Sequence, residues 1–274
     1  YQRHYLMISN DKDTDMWQSV YESASKEAEE KDAYVELLSP EQMNGYSQAD
    51  CLKIGIASQV DGIILEADGS KEEQHLINEA LKGGIPVVTV MTDDTATGRI
   101  SFVGLNSYQT GSAYTEQISG MLKAQGTTSV MFLSTSSSKT QETNLVYSQV
   151  KKELEAQKKT GQSVDLTEYC VDSSADFDTE EFVRDMFVND ENLPDVLVCM
   201  DEVVTECVYQ ALIDYNQVGN VKVIGFYYSD VILDAIDKEI ISSAIALDMD
   251  EIGRYSVNAL DEYLSLGHSN NYYS

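Results

Sequence analysis

Positive charge is scarce in this sequence. The 274 residues include 18 Lys and Arg against 47 Asp and Glu, which gives a formal net charge of −29. Such a charge repels phosphate backbones and anionic lipid surfaces, so we expect no nucleic-acid partner. No apolar run approaches the roughly 18 residues of a membrane span, and no charged segment followed by an apolar one opens the chain at Tyr1. The protein is therefore either cytosolic or exported by a targeting segment that this chain does not contain.

Metal-binding and catalytic motifs are also missing. The cysteines have no CxxC spacing and the histidines are scattered; they are Cys51, Cys170, Cys199, Cys207, His4, His75 and His268. We expect free, packed thiols and no zinc site. The chain lacks GxxxxGK[ST], a GxGxxG after a strand and a GxSxG elbow, so it predicts neither an enzyme nor a cofactor. Residues 11–22 have the acids of an EF-hand loop, but Met16 replaces its glycine; a helix start capped by Asp15 is favoured, and calcium stays open.

Short apolar runs alternate with segments of helical period almost from end to end. Strands are predicted at 5–9, 34–38, 62–66, 86–90, 100–104, 129–133, 166–171, 196–200, 221–226 and 243–247, with a helix in most of the intervals and a last helix at about 250–266. This alternation is typical of parallel sheets covered by helices on both faces. Ten strands are many for one open sheet, so we predict two doubly wound lobes of about five strands, with the break after Gly104.

Several stretches occur in an order and spacing typical of one known family. They are DGIILEADG (61–69), GIPVVTV (84–90), FVGLNSYQTG (102–111), and DVLVCMDEVVTECVYQAL (195–212) with VKVIGF (221–226) and SAIALDMDEIG (243–253). Together they resemble the type I periplasmic solute-binding proteins of the ribose-binding kind, whose fold is shared by effector domains of lac-repressor-like regulators. The resemblance implies two parallel-sheet α/β lobes joined by a three-crossing hinge: an N-terminal lobe at 1–106 plus 249–266, and a C-terminal lobe at 107–248 plus 267–274.

The resemblance also implies a ligand cleft between the lobes, lined by side chains at the carboxyl ends of the strands. Carried over position by position, the binding residues are Asp15, Met16, Trp17, Met91, Thr92, Thr143, Asp201, Tyr227 and Leu247. Most hydroxyl-binding groups of the ribose pattern are absent, since Met91 and Tyr227 stand where carboxylates are expected and Thr92 where a basic residue is expected. Tyr227 would offer an aromatic face and one phenol hydrogen bond. Two alternatives stay open: Tyr227 and Tyr228 pack the hinge, or the cleft binds nothing small.

The charges near the predicted strand ends indicate which ligands fit. The acids are Asp11, Asp13, Asp15, Asp93, Asp94, Asp201, Glu202, Asp230 and Asp248, and the nearby cations are Arg99 and Lys139. A carboxylate or phosphate ligand needs cations or a helix N-terminus, so we disfavour anionic ligands. A neutral ring compound is favoured, and an amine with Asp201 as counter-ion comes second. The acids could alternatively point into solvent.

The resemblance therefore implies an extracytoplasmic protein, periplasmic or anchored as a lipoprotein. It would be a monomer that captures a sugar-like or nucleoside-like ligand for an ABC permease or a membrane sensor. One alternative is the effector domain of a transcriptional regulator, which would need a DNA-binding module before Tyr1. The others are a module of a membrane sensor kinase and a domain that docks a partner protein without a small ligand.

Overall fold

A computed structural model describes residues 1–9, 15–40, 45–136, 138–172, 178–189, 191 and 193–273. The chain divides into two compact α/β units, each built around one parallel sheet. Unit 1 contains the residues up to Asn106 and those from Leu247 onward, and unit 2 runs from Ser107 to Ala246. The prediction of two parallel-sheet α/β lobes is confirmed.

The elements alternate along the chain as the apolar runs predict. The strands in the described residues are β1 (Arg3–Ile8), β2 (Ala33–Leu38), β3 (Gly62–Leu65), β4 (Val87–Val90), β5 (Ser101–Gly104), β6 (Gly126–Thr135), β7 (Gln162–Val171), β8 (Val196–Cys199), β9 (Lys222–Phe226), β10 (Ser243–Ile245) and β11 (Tyr272–Tyr273). The helices are α1 (Asp15–Glu30), α2 (Gln48–Ala57), α3 (Lys71–Lys82), α4 (Ser107–Ser119), α5 (Gln141–Ala156), α6 (Asp178–Val188), α7 (Glu202–Asp214), α8 (Asp230–Asp237) and α9 (Met249–Leu266).

The strand order places the most apolar strands at the centre of each sheet. Unit 1 has the order β11-β5-β4-β3-β1-β2, and unit 2 has β10-β9-β8-β6-β7. Every residue of β3, β4 and β8 is buried, because helices cover both faces of a parallel sheet. The edge strands are more exposed: β2 alternates buried and exposed positions at its start, and β7 is exposed along most of its second half. Cys170, expected to be packed, is exposed on β7.

The two faces of the unit 2 sheet each bury their own apolar cluster. Leu133, Leu197 and Val223 point to the side covered by α6 and α7. Their sequence neighbours Phe132, Val198 and Ile224 belong to a second cluster with residues of α4 and α5, as the two-residue period of a strand requires.

Helices α1 and α9 pack closely against each other in unit 1. A Cβ built on Gly253 would lie 2.3 Å from the carbonyl oxygen of Val20 and 2.8 Å from the backbone N of Ala24. Only glycine therefore allows this approach of the two backbones.

The end of the chain differs from the expectation. The resemblance implies that residues 267–274 belong to the second lobe, whereas β11 pairs in parallel with β5, with Tyr272 opposite Val103. Asn271 also accepts a hydrogen bond at Oδ1 from Phe102 N–H at 2.9 Å. The tail and residues 247–248 thus belong to unit 1. A two-residue strand bounded by polar residues has no periodicity that the sequence could reveal.

Candidate functional site

The carboxyl ends of β3 and β4 carry a polar surface in unit 1. These strands are parallel neighbours, so the residues after Leu65 and Val90 lie at the same edge of the sheet. The Oγ1 of Thr92, a predicted binding residue, donates to Oε1 of Glu66 at 3.1 Å. The backbones are joined as well, because Ala67 N–H donates to the Thr92 carbonyl at 3.3 Å. The sequence analysis named Thr92 but not Glu66, which the predicted strand 62–66 included and which the structure places directly after β3.

The predicted binding residues at the start of α1 differ in exposure. Asp15 is exposed, Met16 is half-buried, and Trp17 is only 1% exposed. Trp17, Val20 and Ala24 are spaced three and four residues apart and are all buried, so Trp17 lies on the inner face of α1. The Trp17 side chain is thus enclosed by protein, and its part in binding stays a prediction. Residues 10–14, which include Asp11 and Asp13 of the calcium hypothesis, lie outside the described residues, whereas Asp15 and Glu22 belong to α1.

In unit 2, Asp201 joins the ends of β6 and β8. Its Oδ1 accepts from Val204 N–H at 2.8 Å, which caps α7. Its Oδ2 accepts from Thr135 N–H at 3.1 Å, Thr135 Oγ1 at 3.0 Å and Ser138 Oγ at 2.7 Å. The carboxylate proposed as counter-ion for an amine is therefore already engaged with four donors of its own unit.

Thr205 extends this network to the end of β9. Its Oγ1 donates to the Asp201 carbonyl at 2.7 Å and accepts from Phe226 N–H at 3.0 Å. Hydrogen bonds thus join the ends of β6, β8 and β9. Thr143, another predicted binding residue, lies in the first turn of α5, where its Oγ1 accepts from Thr140 N–H at 2.8 Å in a capping box.

Tyr227 and Tyr228 lie directly after β9 in two different environments. Tyr227 is buried, and its N–H donates to the Ile245 carbonyl at 2.8 Å. Tyr228 is 49% exposed, and its hydroxyl donates to the Ala244 carbonyl at 2.9 Å. Leu247, the remaining predicted binding residue, is buried just before Asp248, which caps α9.

The backbone conformation singles out two of the predicted binding residues. Among the described residues, six that are not glycine have positive φ; they are Asp32, Gln59, Met91, Asn216, Tyr227 and Glu239. Four of them follow helices within two residues, where a left-handed residue ends the helix. Met91 (φ 61°) and Tyr227 (φ 74°) instead follow strands β4 and β9. Bulky side chains in this region of φ are strained by about 1–3 kcal/mol, and such strain clusters at ligand sites.

The cations near the strand ends are neutralised within their units. Arg99 donates to Asp93 through Nε at 2.8 Å and Nη2 at 2.7 Å. Burial acts to raise the pKa of Asp93, but hydrogen bonds from Arg99 and Thr89 hold it below its ordinary value. Lys139 pairs with Glu168.

Helix N-termini at these edges are also engaged. Side chains of the chain itself cap α2, α3, α5, α7, α8 and α9, namely Ser47, Ser70, Thr140, Asp201, Ser229 and Asp248. Each cap accepts a hydrogen bond from one of the N–H groups that an anion would otherwise use.

In the described parts of the chain, no cluster of His, Cys, Asp and Glu could hold a metal ion. No helix there is long and apolar enough to cross a membrane.

A scan against protein-family models matches residues 5–269 to the periplasmic binding protein domain family. The matched family consists of binding proteins and not of enzymes. No curated protein sequence matches the chain.

Solved structures share the fold over nearly their whole length. XylFII in its complex with LytSN has a TM-score of 0.83 at 21% identity, covering 98% of this chain and 96% of the other. GanP, a glucose-galactose binding protein from Geobacillus stearothermophilus, has a TM-score of 0.84 at 20% identity, with coverage of 100% and 96%. A solute-binding protein of an ABC transporter from Burkholderia graminis, in complex with D-arabinose, has a TM-score of 0.85 at 18% identity, with coverage of 99% and 92%.

Proposed function

Because the chain belongs to the periplasmic binding protein domain family, we propose that it is an extracytoplasmic solute-binding protein for a small neutral ligand of the sugar class. The ligand is held at the carboxyl ends of the strands. GanP binds glucose or galactose by its description, and the Burkholderia graminis protein holds D-arabinose. These relatives in fold favour a neutral sugar over a nucleoside.

The observation that carries this proposal is the strained pair Met91 and Tyr227. Each follows a strand of its own unit and is a binding residue that the resemblance predicts, and each has a left-handed backbone without a helix end to explain it. A fold retains strain of this kind where a side chain must be aimed in a particular direction. Met91 offers an adaptable apolar surface and Tyr227 an aromatic one, which suit the apolar face of a sugar ring.

The charges of both units support a neutral ligand. Burying a carboxylate or phosphate without a cation is costly, and Arg99 and Lys139 are paired with Asp93 and Glu168. Glu66 supplies a carboxylate and Thr92 a hydroxyl, which are groups of the kind that hydrogen-bond a sugar.

The protein would deliver its ligand either to an ABC permease or to a membrane sensor. The first is favoured by the Burkholderia graminis protein, which belongs to an ABC transporter, and the second by XylFII, which forms a complex with LytSN. Co-purification from the native membrane separates the two roles. Recovery with a permease supports import, recovery with a sensor supports sensing, and a DNA-binding module on the full-length chain would contradict both.

Titration calorimetry with D-arabinose, D-galactose and myo-inositol, beside a sugar phosphate and an amine, tests the ligand class. We expect a neutral sugar to bind and the sugar phosphate to fail, while preferred binding of the phosphate would overturn the charge argument. Tyr227→Gly removes both the strain and the aromatic face, and it should weaken binding at least about fivefold, the scale of an aromatic contact. Asn216→Gly, at a left-handed position after α7, is the matched control and should bind as the parent does.

A further inference from the structure

One edge of the unit 2 sheet is a long strand that is open on its outer side. Strand β7 pairs in parallel with β6, and no other strand of the described residues lies beside it. The strand at the opposite edge, β10, has three residues, whereas β7 has ten. Residues 167–170 are all exposed, although they point alternately to the two faces of the sheet. The second half of β7 is therefore accessible from both faces.

The hydrogen bonds to β6 show which main-chain groups of β7 face outward. Gly126 N–H donates to the Gly161 carbonyl, and Ser136 N–H donates to the Val171 carbonyl, both at 2.8 Å. Because main-chain groups alternate in direction along a strand, the odd-numbered residues of β7 bond to β6 and the even-numbered residues point away from it. The outward residues are Gln162, Val164, Leu166, Glu168 and Cys170, and of these Gln162 already donates to the Lys159 carbonyl.

Most of the outward main-chain groups are available for pairing. The Leu166 carbonyl accepts a long hydrogen bond of 3.5 Å from the Tyr147 hydroxyl, which leaves it a second lone pair. The main-chain groups of Val164, Glu168 and Cys170 have no partner in the part of the chain that the structure describes. A row of unpaired N–H and C=O groups of this kind is a template for another strand.

The amino end of β7 carries positive charge, which is scarce in this chain. Lys158 and Lys159 lie directly before the strand, and both are exposed. The Lys158 ammonium lies 3.7 Å from Glu155, but both side chains are exposed and such a pair contributes little. The Lys159 ammonium pairs with no carboxylate of the described residues. Both lysines can therefore meet acids of a partner.

The carboxyl end of β7 is acidic. Asp172 follows the strand directly and is exposed. The Tyr169 ring stacks on Phe182 of α6 with centroids 4.6 Å apart, so the first turn of α6, which carries three acids, lies near this end. Lys139 pairs with Glu168, which leaves Asp172 and the acids of α6 in excess. The two ends of the strand thus have opposite charge.

We propose that the outer edge of β7 binds the same edge of a second copy of this chain, antiparallel and about a two-fold axis. This arrangement places the lysines before one strand beside the acids after the other, and symmetry repeats the contact. A parallel arrangement would place like charges together. A foreign segment of a single charge sign would be repelled at one end of β7, whereas a second copy matches both ends. The dimer replaces the monomer that the resemblance implies, and it does not depend on the proposed ligand.

The overall charge of the chain does not prevent this contact. A net charge of −29 repels two copies. At about 0.15 M salt, however, charges are screened beyond about 8 Å, whereas ion pairs at contact distance are not. The charges next to β7 therefore decide the orientation of the pair.

The acids within the strand select the register. The favoured register has Leu166 on the two-fold axis, where the two copies of this residue exchange both main-chain hydrogen bonds. Glu168 of one copy then lies opposite Val164 of the other. Asp165 likewise lies opposite Thr167, so no two acids face each other. With residue 165 on the axis the two Asp165 carboxylates would meet, and a shift the other way would move the lysines away from the acids.

Sedimentation equilibrium of the whole chain tests the association. In about 0.15 M salt, the mass of the wild type should approach that of two chains as the concentration rises from about 1 to 100 μM. Glu168→Pro removes an outward N–H and leaves the β6 ladder intact, so it should abolish the dimer. Glu168→Ala keeps the N–H and, as the matched control, should still dimerise. A monomeric wild type, or a Glu168→Pro that dimerises as well as Glu168→Ala, would overturn the proposal.

A pair of charge variants tests the antiparallel orientation. Lys158→Glu with Lys159→Glu replaces attraction by repulsion at both ends of the interface, so it should weaken dimerisation at least about tenfold. Lys71→Glu with Lys82→Glu makes the same change of net charge on exposed positions of α3 in unit 1. This control should dimerise as the wild type does. Equal weakening by both pairs would show that only net charge acts, and the antiparallel assignment would be overturned.

Cross-linking tests the register and does not depend on the folding of Glu168→Pro. In a Cys170→Ser background, Leu166→Cys should form a covalent dimer in air, because facing hydrogen-bonded residues have Cα atoms about 5.5 Å apart, within the range of a disulfide. Leu233→Cys is exposed on α8, which contacts the opposite edge strand β10, and should stay monomeric. A wild type that dimerises without cross-linking through Leu166→Cys would overturn the register.

Co-purification from the native membrane distinguishes a second copy from a different partner. A wild type that is monomeric in solution, but is recovered with a membrane protein that Glu168→Pro fails to retain, would assign the edge to that protein. The second copy would then be overturned as the occupant.

Discussion

Replacing Asp201 with Asn separates a structural carboxylate from a ligand-binding one. The amide can keep its Oδ1 on Val204 N–H, because Asn caps helices as well as Asp does. Its NH₂ then faces the three donors now bonded to Oδ2. The hydroxyls of Thr135 and Ser138 can turn to accept, but the Thr135 N–H cannot.

The expected loss follows from these contacts. The Thr135 N–H keeps Ser138 Oγ as a second acceptor at 3.1 Å, so we take the lower end of the penalty for an unsatisfied donor, about 1 kcal/mol. Losing the charge weakens the two hydroxyl bonds by about 0.5–1 kcal/mol each. The free energy of unfolding should therefore fall by about 2–3 kcal/mol without any ligand.

Urea unfolding of the ligand-free protein measures this loss. Asp248→Asn is the matched control, because Asp248 caps α9 from an exposed position, and it should change stability by less than about 0.5 kcal/mol. If Asp201→Asn is as stable as the parent but no longer binds ligand, the carboxylate serves the ligand and the structural reasoning is refuted.

Three further changes test the packing and the buried charge. The folded-state pKa of Glu73 is raised from 4.5 to about 8, so its stabilising effect is fully present below pH 4.5 and is lost as the pH rises to about 8. The wild type should lose up to about 5 kcal/mol relative to Glu73→Gln over this window, as urea unfolding at several pH values would show, and parallel pH profiles would contradict it. Trp17→Ala should lower the free energy of unfolding by about 3–5 kcal/mol, since the ring is buried; a loss below about 1 kcal/mol would show that the ring is not part of the core. Gly253→Ala should destabilise by about 1–3 kcal/mol or more because its Cβ meets the α1 backbone, whereas Gly120→Ala, whose nearest contact is at 3.5 Å, should not; equal melting temperatures would contradict this.

Much of the fold was predictable from the sequence because parallel strands buried on both faces leave continuous apolar runs. The runs GIIL, VVTV and VLVC are such strands, and each is fully buried. The prediction was weaker at the sheet edges. Strand β7 begins four residues before the predicted run at 166–171, because an exposed edge strand needs no apolar pattern. Strand β11 was missed because two residues have no period.

The candidate site was predictable as a set of positions and not as a set of interactions. The resemblance named Asp201 and Thr143, but it could not show that both side chains bond within unit 2. Trp17 was predicted as a binding residue, and its place on the inner face of α1 depends on which face α9 covers. Glu66 was missed because a polar residue after a strand has the same appearance in any loop.

By itself, the sequence determined the alternation of strands and helices, the family, and a surface of strong negative charge. These follow from local periodicity and composition, which do not depend on distant contacts. The tertiary structure alone decided that Glu73 is buried near Asp68. It also decided that Arg99 pairs with Asp93, that Lys139 pairs with Glu168, and that the end of the chain joins unit 1. The physical reason is that burial and pairing depend on residues far apart in the chain, such as Gln48 and Glu73, whose contact exists only after α2 and α3 have packed beside each other.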